Sequence, residues 1–121
     1  MGEITRCIKE SPALAFRLTL EKLEEVTGFI IPCVHIIGGG ARSILLNRFA
    51  ASAMNRPVFA GPYEAAAIGN LCTQFISAGE MNYLGEARRV VRSSFPIHEV
   101  LPEQAGSWDE AFDRYMVIKK C

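Results

Sequence analysis

Three consecutive glycines, Gly38, Gly39 and Gly40, stand between an Ile- and Val-rich run and a segment of helical periodicity. They constrain the fold because a strand, a sharp turn and a helix must fit into one short span. Cys33-Val34-His35-Ile36-Ile37 is short and apolar, the pattern of a strand buried on both faces. Beyond the glycines, Leu45, Leu46, Phe49, Ala50 and Ala53 mark an amphipathic helix. Glycines in such a turn can reach φ > 0 and let a flat ligand or a phosphate approach the backbone. The following helix offers unpaired N–H groups and the positive end of its dipole. Adenine nucleotides suit such a place. A tight turn with no ligand suits it equally, and the residues alone leave both readings open.

The flanking segments complete an α/β pattern. Upstream, Ala13, Phe16, Leu20 and Leu23 share one helical stripe. Ser11-Pro12 reads as an N-cap and first helical position, so either a helix begins there or a longer one from Ile4 is kinked. Gly28 supplies the stop. Downstream, Asn55 and Pro57 end the second helix, Val58-Phe59 allows only a very short strand, and Gly61-Pro62 punctuates. Ala65, Ile68, Cys72, Phe75 and Ile76 predict a third helix, closed at Gly79. Tyr83 to Arg92 predicts a short helix with its arginines outward. Phe95 to Leu101, with Pro96 and Pro102, is extended but unsuited to a central strand. Ser107 and Glu110 have the spacing of a capping box, and Trp108, Ala111, Phe112, Tyr115 and Met116 form the apolar face that follows. Helices dominate and the strands number two or three, as though further strands lay upstream.

Composition removes several function classes. The 13 basic and 13 acidic residues cancel, which is unlike the electrostatic footprint of a nucleic-acid binder. Arg88, Arg89 and Arg92 form the one dense basic cluster, read as a solvated helix face. The apolar run from Phe29 to Ile37 is far shorter than the roughly 20 residues of a membrane span. The polar start lacks a signal-peptide core, so a cytoplasmic location is expected. Cys7, Cys33, Cys72 and Cys121 are widely spaced, which argues against a metal site or a disulfide framework. No P-loop is present, and Gly-x-Gly-x-x-Gly fails because Ser43 stands at its sixth position. His35, inside an apolar strand, reads as a core residue. Glu64, at a helix start, favours the dipole rather than serving as an acid.

The stretch from His35 to Asn70 resembles the adenosine-binding segment of the FGGY carbohydrate kinases, members of the actin-like ATPase superfamily. The resemblance rests on the triple glycine, Leu45-Leu46-Asn47, Ala60-Gly61-Pro62 with Glu64-Ala65, and Ala67-Ile68-Gly69-Asn70. It is closest to the branch acting on L-rhamnulose, and the segment from Arg6 to Gly28 resembles the helix preceding the motif there. Similarity runs from about Ile4 to about Phe95 and more weakly to the end. Pro12 departs from the family, where an apolar residue is usual.

The resemblance implies that residues 1–121 are the adenosine-binding, C-terminal part of a ribonuclease-H-like domain. Gly38, Gly39 and Gly40 would lie against the adenosine of ATP, with Gly39 in first contact. An N-terminal domain would supply the phosphate-binding hairpin, the sugar contacts and the aspartate base. Neither Asp109 nor Asp113 sits in a matching motif, so no catalytic residue is expected in this chain. ATP and Mg2+ are the implied cofactors, and L-rhamnulose or a related ketose the implied substrate. A kinase of xylulose, fuculose or glycerol, or a free-standing nucleotide-binding module, are the alternatives. Strands missing upstream would leave an open sheet edge through which this chain self-associates.

Overall fold

A computed structural model describes residues 2–120. Cys121 lies outside them. The chain opens with α1 (Gly2–Thr27), a continuous helix with Pro12 inside it. Pro12 removes one backbone donor. Its neighbours upstream are exposed, Ile4 and Ile8 at 67% and 65%, so the first turns carry little packing that a distortion could disturb. Burial starts just after the proline, at Ala13, Leu14, Leu18 and Leu20. Of the expected stripe, Ala13 and Leu20 are in the core, whereas Phe16 and Leu23 stay exposed at 38% and 48%. Gly28 (φ +75°) ends the helix, its N–H donating to the Glu24 carbonyl at 2.9 Å.

Next come β1 (Val34–Ile36), a short 3-10 turn over Gly38–Arg42, α2 (Ile44–Met54) and β2 (Val58–Ala60). β1 and β2 pair in parallel with Val34 opposite Val58, so α2 is their crossover. Asn55, in the left-handed conformation, caps α2 and returns the chain to the sheet. After α3 (Ala65–Ser77) and α4 (Leu84–Ser94), β3 (His98–Val100) adds to the far side of β2, antiparallel. The three-stranded sheet runs β1-β2-β3, which makes the very short Val58–Ala60 segment its centre and puts the proline-flanked strand at an edge.

The core lies on one face of this sheet. Leu20 of α1, Ala50, Ala51 and Met54 of α2, and Val58 of β2 form it, with Ile31, Val34, Ile36 and Val100 packed around them. The alanines let α1 and α2 come close together, and Val58 is fully buried, a burial worth roughly 1.5–3 kcal/mol. A second cluster joins Leu14 and Leu18 of α1 to Phe112 of α5 (Ala105–Lys120), with Trp108, Ala111, Tyr115 and Met116 around it, as the apolar face predicted. Arg17 reinforces that contact: its guanidinium lies 4.2 Å from the Phe112 ring centroid and pairs with Asp109 at 2.7 Å.

Three expectations are corrected. β1 is not buried on both faces, since helices α1 and α2 cover only one; Val34 and Ile36 are half-buried and His35 is exposed. His35 is therefore no core histidine, and its ring stacks on Phe59 with centroids 5.2 Å apart. The capping box at Ser107 does not form. α5 begins at Ala105, after Gln104 at φ +50°, and the Ser107 hydroxyl donates to the Gln104 carbonyl instead of accepting from a free N–H. At the start of α4, Glu86 has the partnering the sequence did not reveal. The backbone N–H of Asn82 and then its side-chain amide donate to the carboxylate and hold it below the usual range.

Candidate functional site

The glycine turn sits at the carboxyl end of β1, beside the carboxyl end of the parallel strand β2. In open α/β sheets that end is where loops leave room for ligands. Two backbone bonds tie the loops together: Gly61 N–H donates to the Ile36 carbonyl at 2.9 Å, and Gly38 N–H donates to the Pro62 carbonyl at 3.1 Å. The Gly61–Pro62 peptide is cis, and a Cβ on Gly61 would fall 2.7 Å from the Pro96 carbonyl oxygen. Glycine is therefore required at Gly61 by a neighbouring backbone.

The three glycines are brought together in one turn but differ in kind. Gly38 alone has positive φ, at +73°. The expectation that the glycines as a group use φ > 0 is corrected for Gly39 and Gly40, because the 3-10 turn carries them in ordinary right-handed geometry. An added Cβ on Gly40 would touch Ile36 Cγ2 at 3.6 Å, whereas one on Gly39 would meet no atom within 4 Å. Gly39 and Gly40 are exposed. A flat group can thus reach the Gly39 backbone directly.

Side chains that the glycine motif did not announce hold the turn in place. Asn47, only 2% exposed, donates from Nδ2 to the Ala41 carbonyl at 2.8 Å. Its Oδ1 is buried without a protein partner. Ser43 caps α2, its Oγ accepting from Leu46 N–H at 3.4 Å, and the Lys9 ammonium donates to the same Oγ at 2.8 Å. A cation therefore stands beside the start of α2. The sequence did hold a signal for Asn47, an amide on the apolar side of a helix between Leu46 and Ala50.

Arg42 closes the turn. Its guanidinium pairs with Glu64 at 2.6 Å and lies 5.6 Å from the Tyr63 ring centroid. Glu64 is the N-cap residue of α3 but makes no side-chain capping bond, its carboxylate being engaged by Arg42. The pair is exposed, so its net worth is at most about 1 kcal/mol. Asp109 and Asp113 lie on α5, Asp109 paired with Arg17. Among the described residues no three His, Cys, Asp or Glu side chains gather to hold a metal. Cys7, Cys33 and Cys72 are free thiols. No helix among the described residues is long and apolar enough to cross a membrane.

Beside the open edge of β1, a groove of about 690 Å³ runs along α1, lined by Phe16, Leu20, Leu23, Val34, Ile36 and Met54 among others. It contains neither the glycines nor Arg42.

Comparison with known proteins adds a family. The model of the FGGY family of carbohydrate kinases, C-terminal domain, matches residues 1–78, which span α1 to the end of α3. A rhamnulokinase of Bacteroides thetaiotaomicron is 42% identical over 120 residues, covering 99% of this chain and 24% of that protein. One of Bacillus subtilis is 44% identical over 102 residues, 84% of this chain and 21% of that protein. Another, of Lactiplantibacillus plantarum, is 35% identical over 120 residues, 98% of this chain and 25% of that protein. The chain spans about a quarter of the length of these relatives.

Proposed function

The chain belongs to the FGGY family of carbohydrate kinases, and from that premise we propose that it is the nucleotide-facing C-terminal part of an enzyme transferring the γ-phosphate of ATP to the 1-hydroxyl of L-rhamnulose. The observation that carries this is the match over 99% of the chain to a protein named rhamnulokinase. The adenosine lies against Gly38, Gly39 and Gly40, and Gly39 makes the first contact. Support comes from the open space outside Gly39 and from the turn's place at the strand ends. The residues present fit a flat base: Gly38 turns the chain, Gly39 admits the ring, and Asn47 fixes the Ala41 carbonyl behind it.

ATP supplies the phosphoryl group, and Mg2+ neutralises charge on its phosphates. The described residues gather no metal-binding cluster. In this proposal the phosphate cradle, the sugar contacts and the aspartate base belong to the portion of the relatives that this chain does not span. The same proposal makes the sheet the end of a larger ribonuclease-H-like one, with upstream strands filling the groove at β1, and places the enzyme in the cytoplasm.

Coupled ADP-release assays test the division of labour. A full-length protein ending in this sequence should turn over with Mg-ATP and L-rhamnulose, and more slowly with xylulose, fuculose or glycerol. The 121-residue chain alone should stay at background. Sustained turnover by the chain alone overturns the proposal, and preference for another sugar overturns its substrate.

A further inference from the structure

On the other side of the sheet from the α1–α2 core, a cavity of about 620 Å³ lies between α3, α4 and the strand ends. Its size is that of a small-molecule pocket. Ile68, Cys72 and Ile76 of α3 line one wall and Val91 of α4 another, so its surface is mainly apolar. Arg88 and Arg92 line it as well, one helical turn apart on α4.

These arginines differ from the others nearby. Arg89 bonds the Tyr83 hydroxyl at 3.1 Å, and Arg42 is paired with Glu64. Arg88 and Arg92 have no hydrogen-bond or ion-pair partner among the described residues. A cavity with apolar walls and two uncommitted guanidiniums selects for a particular chemistry. Its walls would strip water from a free sugar without replacing the hydrogen bonds. Two forked donors on one helix face suit a planar or tetrahedral anion.

We propose that this cavity binds a small amphipathic anion, an aromatic or branched apolar body bearing one carboxylate, sulfonate or phosphate. The apolar body fills the space beside Ile68 and Cys72, and the anion meets Arg88 and Arg92. Gly69 on α3 keeps that space open, since an added Cβ there would meet nothing within 4 Å. The site is separate from the glycine turn: its cations lie on α4, beyond residues 1–78 of the family match. It does reach Ile37, the residue directly before Gly38, so an occupant touches the strand end that carries the turn.

The test uses 8-anilinonaphthalene-1-sulfonate and its uncharged analogue N-phenyl-1-naphthylamine as probes, titrated by fluorescence against the 121-residue chain. Saturable binding of the sulfonate is expected. Arg88→Gln with Arg92→Gln should weaken it roughly tenfold, the scale of one charge-assisted hydrogen bond, and leave the uncharged probe unaffected. Gly69→Leu should fill the cavity and abolish both signals without lowering Tm, because leucine is the better helix former. Leu23→Ser, in the groove on the opposite face, should leave both probes bound. Sulfonate affinity unchanged by the double arginine substitution overturns the proposal, as does undiminished binding in folded Gly69→Leu. Should Gly69→Leu not fold, the exposed arginine pair decides alone.

Discussion

At Gly38 the backbone stands at φ +73°, where a residue with a Cβ costs about 1–2 kcal/mol; at Gly39 no such strain exists and the space outside is empty. The neighbours thus differ: folding requires a glycine at the first, and the proposed nucleotide contact is what would require one at the second. Gly38→Ala should lower unfolding free energy in urea by about 1–2 kcal/mol. Gly39→Ala should change it by less than about 0.5 kcal/mol. In the full-length kinase, Gly39→Val should raise KM for ATP far more than KM for the sugar; equal damage to both would mean misfolding. The triple glycine was legible as a turn, but which member bears the positive φ was not. That goes with the bond from Gly38 N–H to the Pro62 carbonyl, a partner supplied by the loop after β2. Asn47 stands in the motif, but its role was not legible for a similar reason, because it holds a carbonyl that only the folded turn presents.

Among the elements, β1 is the one whose environment was misread. Its apolar residues suggested cover on both faces, yet it has a strand neighbour on one side only and His35 faces out. Phe29 and Ile30 in the segment before it and Ile37 directly after it are exposed, at 62%, 74% and 58%. An open parallel edge beside apolar side chains is a template for another strand. Self-association through this edge is expected, and sedimentation velocity across a concentration series should show dimers or larger species. A single monomeric species throughout would contradict it. The helices were better marked, since their periodicity is local. Gly28 and Gly79 both take the positive φ expected of helix stops. Ser107 shows where local pattern fails: a capping box needs its serine outside the helix, and packing of Trp108 and Phe112 on α1 and α2 starts α5 at Ala105 instead.

For the whole molecule, the helix-rich chain with a three-stranded sheet matches a portion of a larger kinase, about a quarter of its relatives' length. Family membership was legible because the motif from His35 to Asn70 is contiguous and carries its own turn. The proposed substrate rests on resemblance alone, since the proposal puts the sugar contacts in the portion of the relatives that this chain does not span. The central claim is that the glycine turn receives the nucleotide, and amide chemical shifts of the 15N-labelled chain titrated with Mg-ADP address it directly. Binding should be weak without the phosphate cradle, but the amides of Gly38, Gly39, Gly40, Ala41 and Arg42 should move together and saturate, while those of α5 stay in place. Saturating shifts that leave these five amides unmoved, whether they fall along α4 or along the groove at α1, would contradict the account.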